Sequence, residues 1–390
     1  MKAAFSLLAA GAALTAAAPA EAAPKRVPQG FAGTMLDRVL ERPGFSVERE
    51  MSTMVSAGVE SVRVVCNWSH IQRYRAVDDV PADERSRFRV IEGVPTDFTL
   101  SDRVVGSAAQ RGLKVLPVLT TAPFWAAKNP GGFGSPPAGT ANYARYALTM
   151  VRRYGPRGSF WRENPRIPKR PIRDWQVWNE PNLRAFWNEA SFAADYVKLL
   201  RAGRRAILEA DRGARIVLAG LANRSFEDLG KIYRQPGARR LFDVVAVHPY
   251  TVRPIDVPYI VKLVRRTMRH HGDARKPTVI TEMSWPSSDG KLGEYPLSTN
   301  EANQARRLRK VIPLLVKVRR RYRLEGFYWY TWVSEEEPKG GVFAYSGLRR
   351  LTGSGRSVAK PSYRVYRRAV LGIERCRRKA GNATRCVRAR

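Results

Sequence analysis

The sequence predicts a single (β/α)₈ barrel, and three observations carry that expectation. Short β-branched runs alternate with longer segments of helical period, the pattern of a parallel α/β protein. Eight strand–helix pairs can be laid end to end along most of the 390 residues. No Gly-x-Gly-x-x-Gly turn follows the first strand and no phosphate-cradling loop occurs elsewhere, which counts against an open doubly wound sheet.

Taken in order, the first strand is the weakest. Residues 30–34, Gly-Phe-Ala-Gly-Thr, are poor strand formers but stand where a first strand is needed. A helix is expected at 46–57, then a strand at 61–65, Ser-Val-Arg-Val-Val. The remaining strands are expected at 114–119, 174–178, 215–219, 244–247, 277–281 and 326–331, and the helices at 100–111, 140–154, 190–210, 225–233, 258–270, 300–323 and 360–371. The Gly/Pro-rich stretch 129–140 and the Pro/Arg-rich stretch 155–173 read as long loops around the third helix, not as linkers between domains.

The ends of the chain differ from this pattern. Residues 1–23 have a charged start, an Ala/Leu-rich run and a small-residue cleavage site, the parts of a secretory signal. Export is therefore expected, to the exterior or the cell envelope, with the barrel at 24–372, a basic tail at 373–390 and no transmembrane segment in the mature chain. In an exported chain Cys376 and Cys386 can form a disulfide. No nearby His or Cys completes a metal or nucleophile set with Cys66, which reads as a buried thiol. Asn382-Ala383-Thr384 fits a glycan acceptor, which matters only in a eukaryotic secretory route. The net charge of +35 is concentrated at 306–323 and 349–390. Such a field attracts polyanions, an anionic cell-envelope polymer among them, although a solvated surface accounts for it equally well. Nucleic acid is not expected as a partner, because zinc-finger spacing, RNP-like aromatics and basic heptads are all missing.

In a barrel the reactive groups hang from the C-terminal ends of the strands. The predicted second strand carries Arg63 and runs on to Asn67-Trp68; the third leads to Trp125; the fourth ends in Asn179-Glu180; the sixth ends in His248-Pro249-Tyr250; the seventh in Glu282; the eighth at Trp332. Taken alone, Asn179-Glu180-Pro181 is also a good helix start, since Asn caps and Glu and Pro suit a first turn. Joined to a second strand-ending Glu and to His-Pro-Tyr between them, it reads as one of two carboxylates facing across a mouth. Arg63, flanked by valines, would point into the barrel and would need a carboxylate there. Paired carboxylates suit glycoside hydrolysis, and indole faces with nearby amide and guanidinium groups suit a sugar ring. His70, His270 and His271 read as ordinary surface or core residues, and no His/Cys/Asp set has metal spacing.

Trp-Asn-Glu-Pro at 178–181, His-Pro-Tyr at 248–250, Val-Ile-Thr-Glu at 279–282 and Tyr-Trp-Tyr-Thr-Trp at 328–332 resemble the clan A retaining glycoside hydrolases, families 5 and 39 in particular. The stretch 58–72 is similar to their second-strand motif, except that Val-Cys-Asn stands where family 5 commonly has a proline. The resemblance implies a (β/α)₈ barrel with Glu180 as acid/base, Glu282 as nucleophile and Asn179 as the amide on the 2-hydroxyl. It places Arg63, His248 and Tyr250 around them and Trp332 as the eighth-strand sugar platform, with Trp68 and Trp125 as further subsite candidates. The partner it implies is a carbohydrate substrate, cleaved without a cofactor. A transglycosylase would share every one of these residues, and a non-catalytic barrel holding an anionic polysaccharide is the rival from another class. The run 334–337, Ser-Glu-Glu-Glu, is not accounted for by the resemblance.

Overall fold

The computed structural model describes residues 27–132, 134–374 and 382–384, and the backbone of Cys376–Arg378 and Cys386–Arg388, which pair antiparallel. The signal expected at 1–23 and the side chains of the Cys376–Cys386 pair lie outside the described residues.

Eight parallel strands form the barrel: β1 (Ala32–Leu36), β2 (Ser61–Asn67), β3 (Lys114–Thr120), β4 (Asp174–Val177), β5 (Arg215–Val217), β6 (Val245–Val247), β7 (Thr278–Met283) and β8 (Leu324–Trp329). Apart from β5 and β6, each pairs with its neighbour in chain order, and β8 returns to β1 through Ala32 opposite Phe327. Between β5 and β6 the contact thins to parallel bridges, Val217 with Val244 and Leu221 with Val247, which complete the ring. The long helices are α1 (Val47–Ser56), α2 (Thr99–Gln110), α3 (Thr140–Tyr154), α4 (Ala193–Ala210), α5 (Ser225–Tyr233), α6 (Asp256–His270), α7 (Glu301–Val318) and α8 (Pro361–Glu374). No helix among the described residues is long and apolar enough to cross a membrane.

The strands are buried on both faces, which is why they read as near-continuous apolar runs. One face fills the barrel: Leu116, Val217, Val244, Ala246, Val279 and Tyr328 form a small cluster of their own. The other packs beneath the helices in the larger core, which takes in Val62, Val177, Ile280 and Phe327. Gly33 is where β1 must be narrow, because a Cβ there would stand 2.5 Å from the Tyr328 ring and 2.6 Å from Ser61 Oγ. That requirement, rather than β-propensity, explains why the first strand looks weak in the sequence.

Helices are fastened to the strand ends by tyrosines. The hydroxyls of Tyr146, Tyr143 and Tyr196 donate to the carbonyls of Cys66 (2.9 Å), Leu119 (2.8 Å) and Val177 (3.0 Å), satisfying backbone oxygens where the ladder stops. Cys66 is buried, and burial pushes its thiol up to about 12, so it is an inert core group. Side-chain caps start α1, where Ser46 accepts from Arg49 N, and α7, where Asn300 accepts from Asn303 N at 2.9 Å.

Candidate active site

The ends of β2, β4, β6 and β7 bring Arg63, Asn179, Glu180, His248, Tyr250 and Glu282 to one place. Alternation along β2 turns Arg63 inward, fully buried, between the outward Val62 and Val64. Its guanidinium is engaged at every nitrogen: Nη1 donates to Glu282 Oε1 at 2.6 Å and also meets Met35 Sδ, Nη2 donates to Asn179 Oδ1 at 2.7 Å, and Nε donates to Gln176 Oε1 at 2.9 Å. Tyr250 donates to the other oxygen of Glu282 at 2.8 Å. Holding Asn179 by its oxygen fixes the amide flip, so its NH₂ is the free donor.

Glu180 has a different partner. His248 Nδ1 lies 2.6 Å from Glu180 Oε1, and Nε2 lies 2.9 Å from Thr281 Oγ1 and 3.7 Å from Glu282 Oε1. The ring fits there because position 220 is glycine. A Cβ on Gly220 would stand 1.9 Å from His248 Nε2. Gly220 also accepts the Glu180 amide at 3.1 Å. The turn that presents the carboxylate is strained, with Trp178 at φ 69 and Glu180 at φ 42, a left-handed region that bulky side chains rarely enter. No helix begins at Asn179: its side chain accepts from Arg63, turns follow Glu180, and α4 starts only at Ala193. The helix-cap reading of Asn-Glu-Pro is therefore set aside.

Glu180 and Glu282 share an enclosed site yet titrate in opposite directions. Burial raises Glu180, and the charge of Glu282 adds to it, outweighing the pull of His248 and Arg63. For Glu282 burial acts upward too, but His248, Arg63 and the Tyr250 hydrogen bond together bring it below the ordinary carboxylate value. Divergent pKa values on a carboxyl pair assign one to hold a proton and the other to stay ionised. One ligand atom each from Glu180, His248 and Glu282 falls within 4.8 Å of the others, so this trio could in principle face a metal ion. In the observed arrangement Glu282 Oε1 accepts from Arg63 and Glu180 Oε1 meets His248 Nδ1.

The tryptophans fall elsewhere. Trp332 is fully buried, with its indole N–H donated to Glu50 of α1 at 2.8 Å and its ring edge-on to Tyr363 of α8. The strand ends at Trp329, and beyond it the chain bonds across to Met35 and Arg349, tucking Trp332 beneath a small sheet of Val333–Ser334, Arg349–Leu351 and Ser357–Ala359. Trp68 is fully buried as well, stacked on Tyr146 and bonded to Gln72. Neither can be a sugar platform. Trp125 is half-buried, edge-on to Trp68, with its N–H on Gln72 O.

The aromatic surface near the carboxylates comes from residues not singled out in the sequence. Tyr330 continues the inward parity of Tyr328, and its hydroxyl is pushed well up, first by enclosure and then by the charges of Asp37, Glu282 and Glu180. Phe343 meets Tyr250 (5.1 Å between centroids), Tyr295 (5.8 Å) and Tyr330 (6.2 Å). The unassigned acidic run explains why Phe343 is there. Glu335 and Glu337 pair with Arg42, and Glu336 pairs at 2.8 Å with the buried Lys360, so the loop after β8 is clipped down on both sides. Asp37, just past β1, is a third carboxyl, raised by burial and by Glu282 against the Arg38 amide and the Arg38 and Arg63 charges. Parity on β8 could have revealed Tyr330; nothing local marks Phe343 or Asp37.

No family model matches the sequence, and no curated protein matches it. Solved structures do. A monomeric β-xylosidase from Caulobacter crescentus is 18% identical over 89% of this chain and 69% of its own, with a TM-score of 0.62. An α-L-arabinofuranosidase from Thermotoga maritima is 13% identical over 89% and 71%, with a TM-score of 0.60. A family 1 β-glucosidase from Thermotoga maritima is 14% identical over 90% and 99%, with a TM-score of 0.58. The fold these likenesses define is the (β/α)₈ barrel. At these identities the likeness speaks for the architecture alone.

Proposed function

We propose that this chain is an exported retaining glycosidase that cleaves O-glycosidic, β-configured bonds by double displacement. The observation that carries this reading is the pair Glu180 and Glu282, with an oxygen of each within 4.8 Å and with opposite titration shifts. That gap suits direct attack on the anomeric carbon; inversion needs room for a water between the carboxyls. The β-xylosidase and β-glucosidase among the similar structures agree with a β bond. Export rests on the leader-like residues 1–23 alone.

In the first step Glu282 attacks the anomeric carbon while Glu180 gives its proton to the departing oxygen. Arg63 and Tyr250 hold both Glu282 oxygens, one each, which fixes the nucleophile and keeps it ionised until attack. Asn179 offers its NH₂ to the hydroxyl next to the reacting carbon. Glu180 can carry its proton on Oε2 when His248 Nδ1–H donates to Oε1 and the Thr281 hydroxyl donates to Nε2. In the second step the ionised Glu180 takes a proton from water, which attacks the glycosyl–Glu282 ester and releases the sugar with its anomeric configuration retained. A sugar hydroxyl in place of that water would make the enzyme a transglycosylase.

The test is turnover on a panel of aryl β-glycosides. Glu180→Gln and Glu282→Gln are each expected to abolish hydrolysis of the members with poor leaving groups in a chain that still folds cooperatively; near wild-type turnover in either sinks the assignment.

A further inference from the structure

The charge of +35 is not spread evenly around the barrel. On the side of α1 to α4 several of the helix cations are matched by acids, although Arg49, Arg145, Arg201 and Arg205 stand in no ion pair among the described residues. Arg103 of α2 bonds Glu48 of α1 at 2.9 Å, Arg152 of α3 reaches Glu209 of α4 at 3.2 Å, and Arg153 lies between Asp102 and Glu163. On the side of α6 to α8 the matching stops. α7 and the turn after it expose Arg306, Arg309, Lys310, Lys317 and Arg320, steps of three, four and seven that put them on one outward stripe. α8, packed on α7, exposes Arg364, Arg367 and Arg368; α6, on its other flank, exposes Lys262, Arg266 and Arg269. None of these pairs with an acid among the described residues. The three helices carry one acid each, and none serves the stripes: Asp256 is bonded to Arg253, Glu301 to Arg350, and Glu374 is buried.

Magnitude separates this wall from an ordinary solvated surface. The α7 stripe is roughly 21 Å long at the helical rise. Packed helices lie roughly 8 to 10 Å apart, which is about one Debye length at physiological salt, so each row lies within the field of the next. Isolated surface cations do little, but rows this close sum to a potential that draws an extended polyanion. Each helix of a βα unit begins at the mouth end, so the stripes run from the rim to the base. The mouth itself has no such excess, since Asp37, Glu180 and Glu282 stand against Arg38 and Arg63 there.

We propose that the outer wall formed by α6, α7 and α8 binds a linear acidic polysaccharide along its length and holds it beside the mouth. Polysaccharide, rather than another polyanion, rests on the glycosidase reading above.

The test uses fluorescent polygalacturonate as probe, with neutral dextran and a DNA duplex of matched charge as comparisons. The full chain is expected to bind polygalacturonate saturably at about 50 mM salt, to weaken steeply by about 300 mM, and to ignore dextran. Arg306→Glu/Arg309→Glu/Lys310→Glu should weaken binding by about tenfold or more. Arg166→Glu/Lys169→Glu/Arg170→Glu removes the same charge from the exposed loop before β4 and should change it by less than about twofold. Equal losses in the two triples would overturn the wall in favour of net charge, and tighter binding of the duplex would overturn it in favour of nucleic acid. Aryl glycoside hydrolysis, measured on the same preparations, should be the same in both triples and wild type. Hydrolysis without polymer binding overturns the wall alone; wall-dependent binding without hydrolysis on any glycan leaves the wall standing and overturns the glycosidase reading.

Discussion

Replacing Gly220 with alanine adds one methyl group at the point where Glu180, the carboxylate proposed as acid/base, is aligned. The new Cβ would stand 1.9 Å from His248 Nε2 and 2.5 Å from both neighbouring ring carbons. Ordinary contact begins near 3.4 Å, so the ring must retreat by about 1.5 Å or the strand must yield. A ring retreat of that size carries the 2.6 Å bond from His248 to Glu180 past hydrogen-bonding range, and a yielding strand moves the Gly220 carbonyl that accepts the Glu180 amide. A misplacement of about 1 Å costs on the order of 100-fold, which is about 2.7 kcal/mol of transition-state stabilisation. The overpacking should also cost about 1 to 3 kcal/mol of stability. The assay is kcat/KM on aryl β-glycosides of graded leaving-group acidity, with thermal unfolding as the control for folding. The loss should be greatest for the poorest leaving groups, since those need the proton most. A folded Gly220→Ala enzyme with undiminished kcat/KM on poor leaving groups would refute the role given to His248.

The pH profile of kcat/KM should be bell-shaped: activity falls on the acid side as the lowered Glu282 takes up a proton, and on the alkaline side as the raised Glu180 loses its own. For stability, Glu282 contributes above the unfolded carboxylate value and that contribution is lost as pH falls through its folded one. Glu180 contributes below the unfolded value and loses that as pH rises through its raised one. Calorimetry across pH, compared with the Glu180→Gln and Glu282→Gln variants, checks both signs. Arg63→Met should leave Glu282 buried and unpaired, costing about 3 to 5 kcal/mol in unfolding free energy and moving the acid limb upward; an unmoved limb in the folded variant contradicts the pairing. Trp332→Phe should keep kcat/KM within about twofold and cost about 1 kcal/mol, because Glu50 loses one donor but keeps Ser357 and Arg349. Tyr330→Ala should instead lower kcat/KM strongly in the folded enzyme, and it should also cost about 3 kcal/mol of stability because the ring is buried against Phe343.

The sequence made the barrel legible because doubly buried parallel strands print as short β-branched runs, and β2, β3 and β7 do so plainly. β1 was faint for a packing reason, since Gly33 has no Cβ where Tyr328 and Ser61 close in. Arg63, Asn179, Glu180, His248, Tyr250 and Glu282 could be placed because strand ends define the mouth. Trp332 misled because the strand stops three residues earlier and the chain then turns outward, so aromatic content there did not translate into position. Phe343 and the clipped loop could not be read locally: Lys360 and Arg42 hold that loop from far away in sequence, a tertiary matter. Gly220 was equally silent, its importance being the approach of a histidine from the next strand.

Covalent trapping is the most direct measurement. A 2-deoxy-2-fluoro β-glycoside with a dinitrophenyl leaving group, built on the sugar the enzyme cleaves best, should inactivate it with one sugar per chain. Peptide mass spectrometry should then place that sugar on Glu282, with the label absent from the folded Glu282→Gln variant. A sugar on Glu180 or Asp37, or an uninhibited enzyme releasing product of inverted configuration, would contradict the double-displacement account.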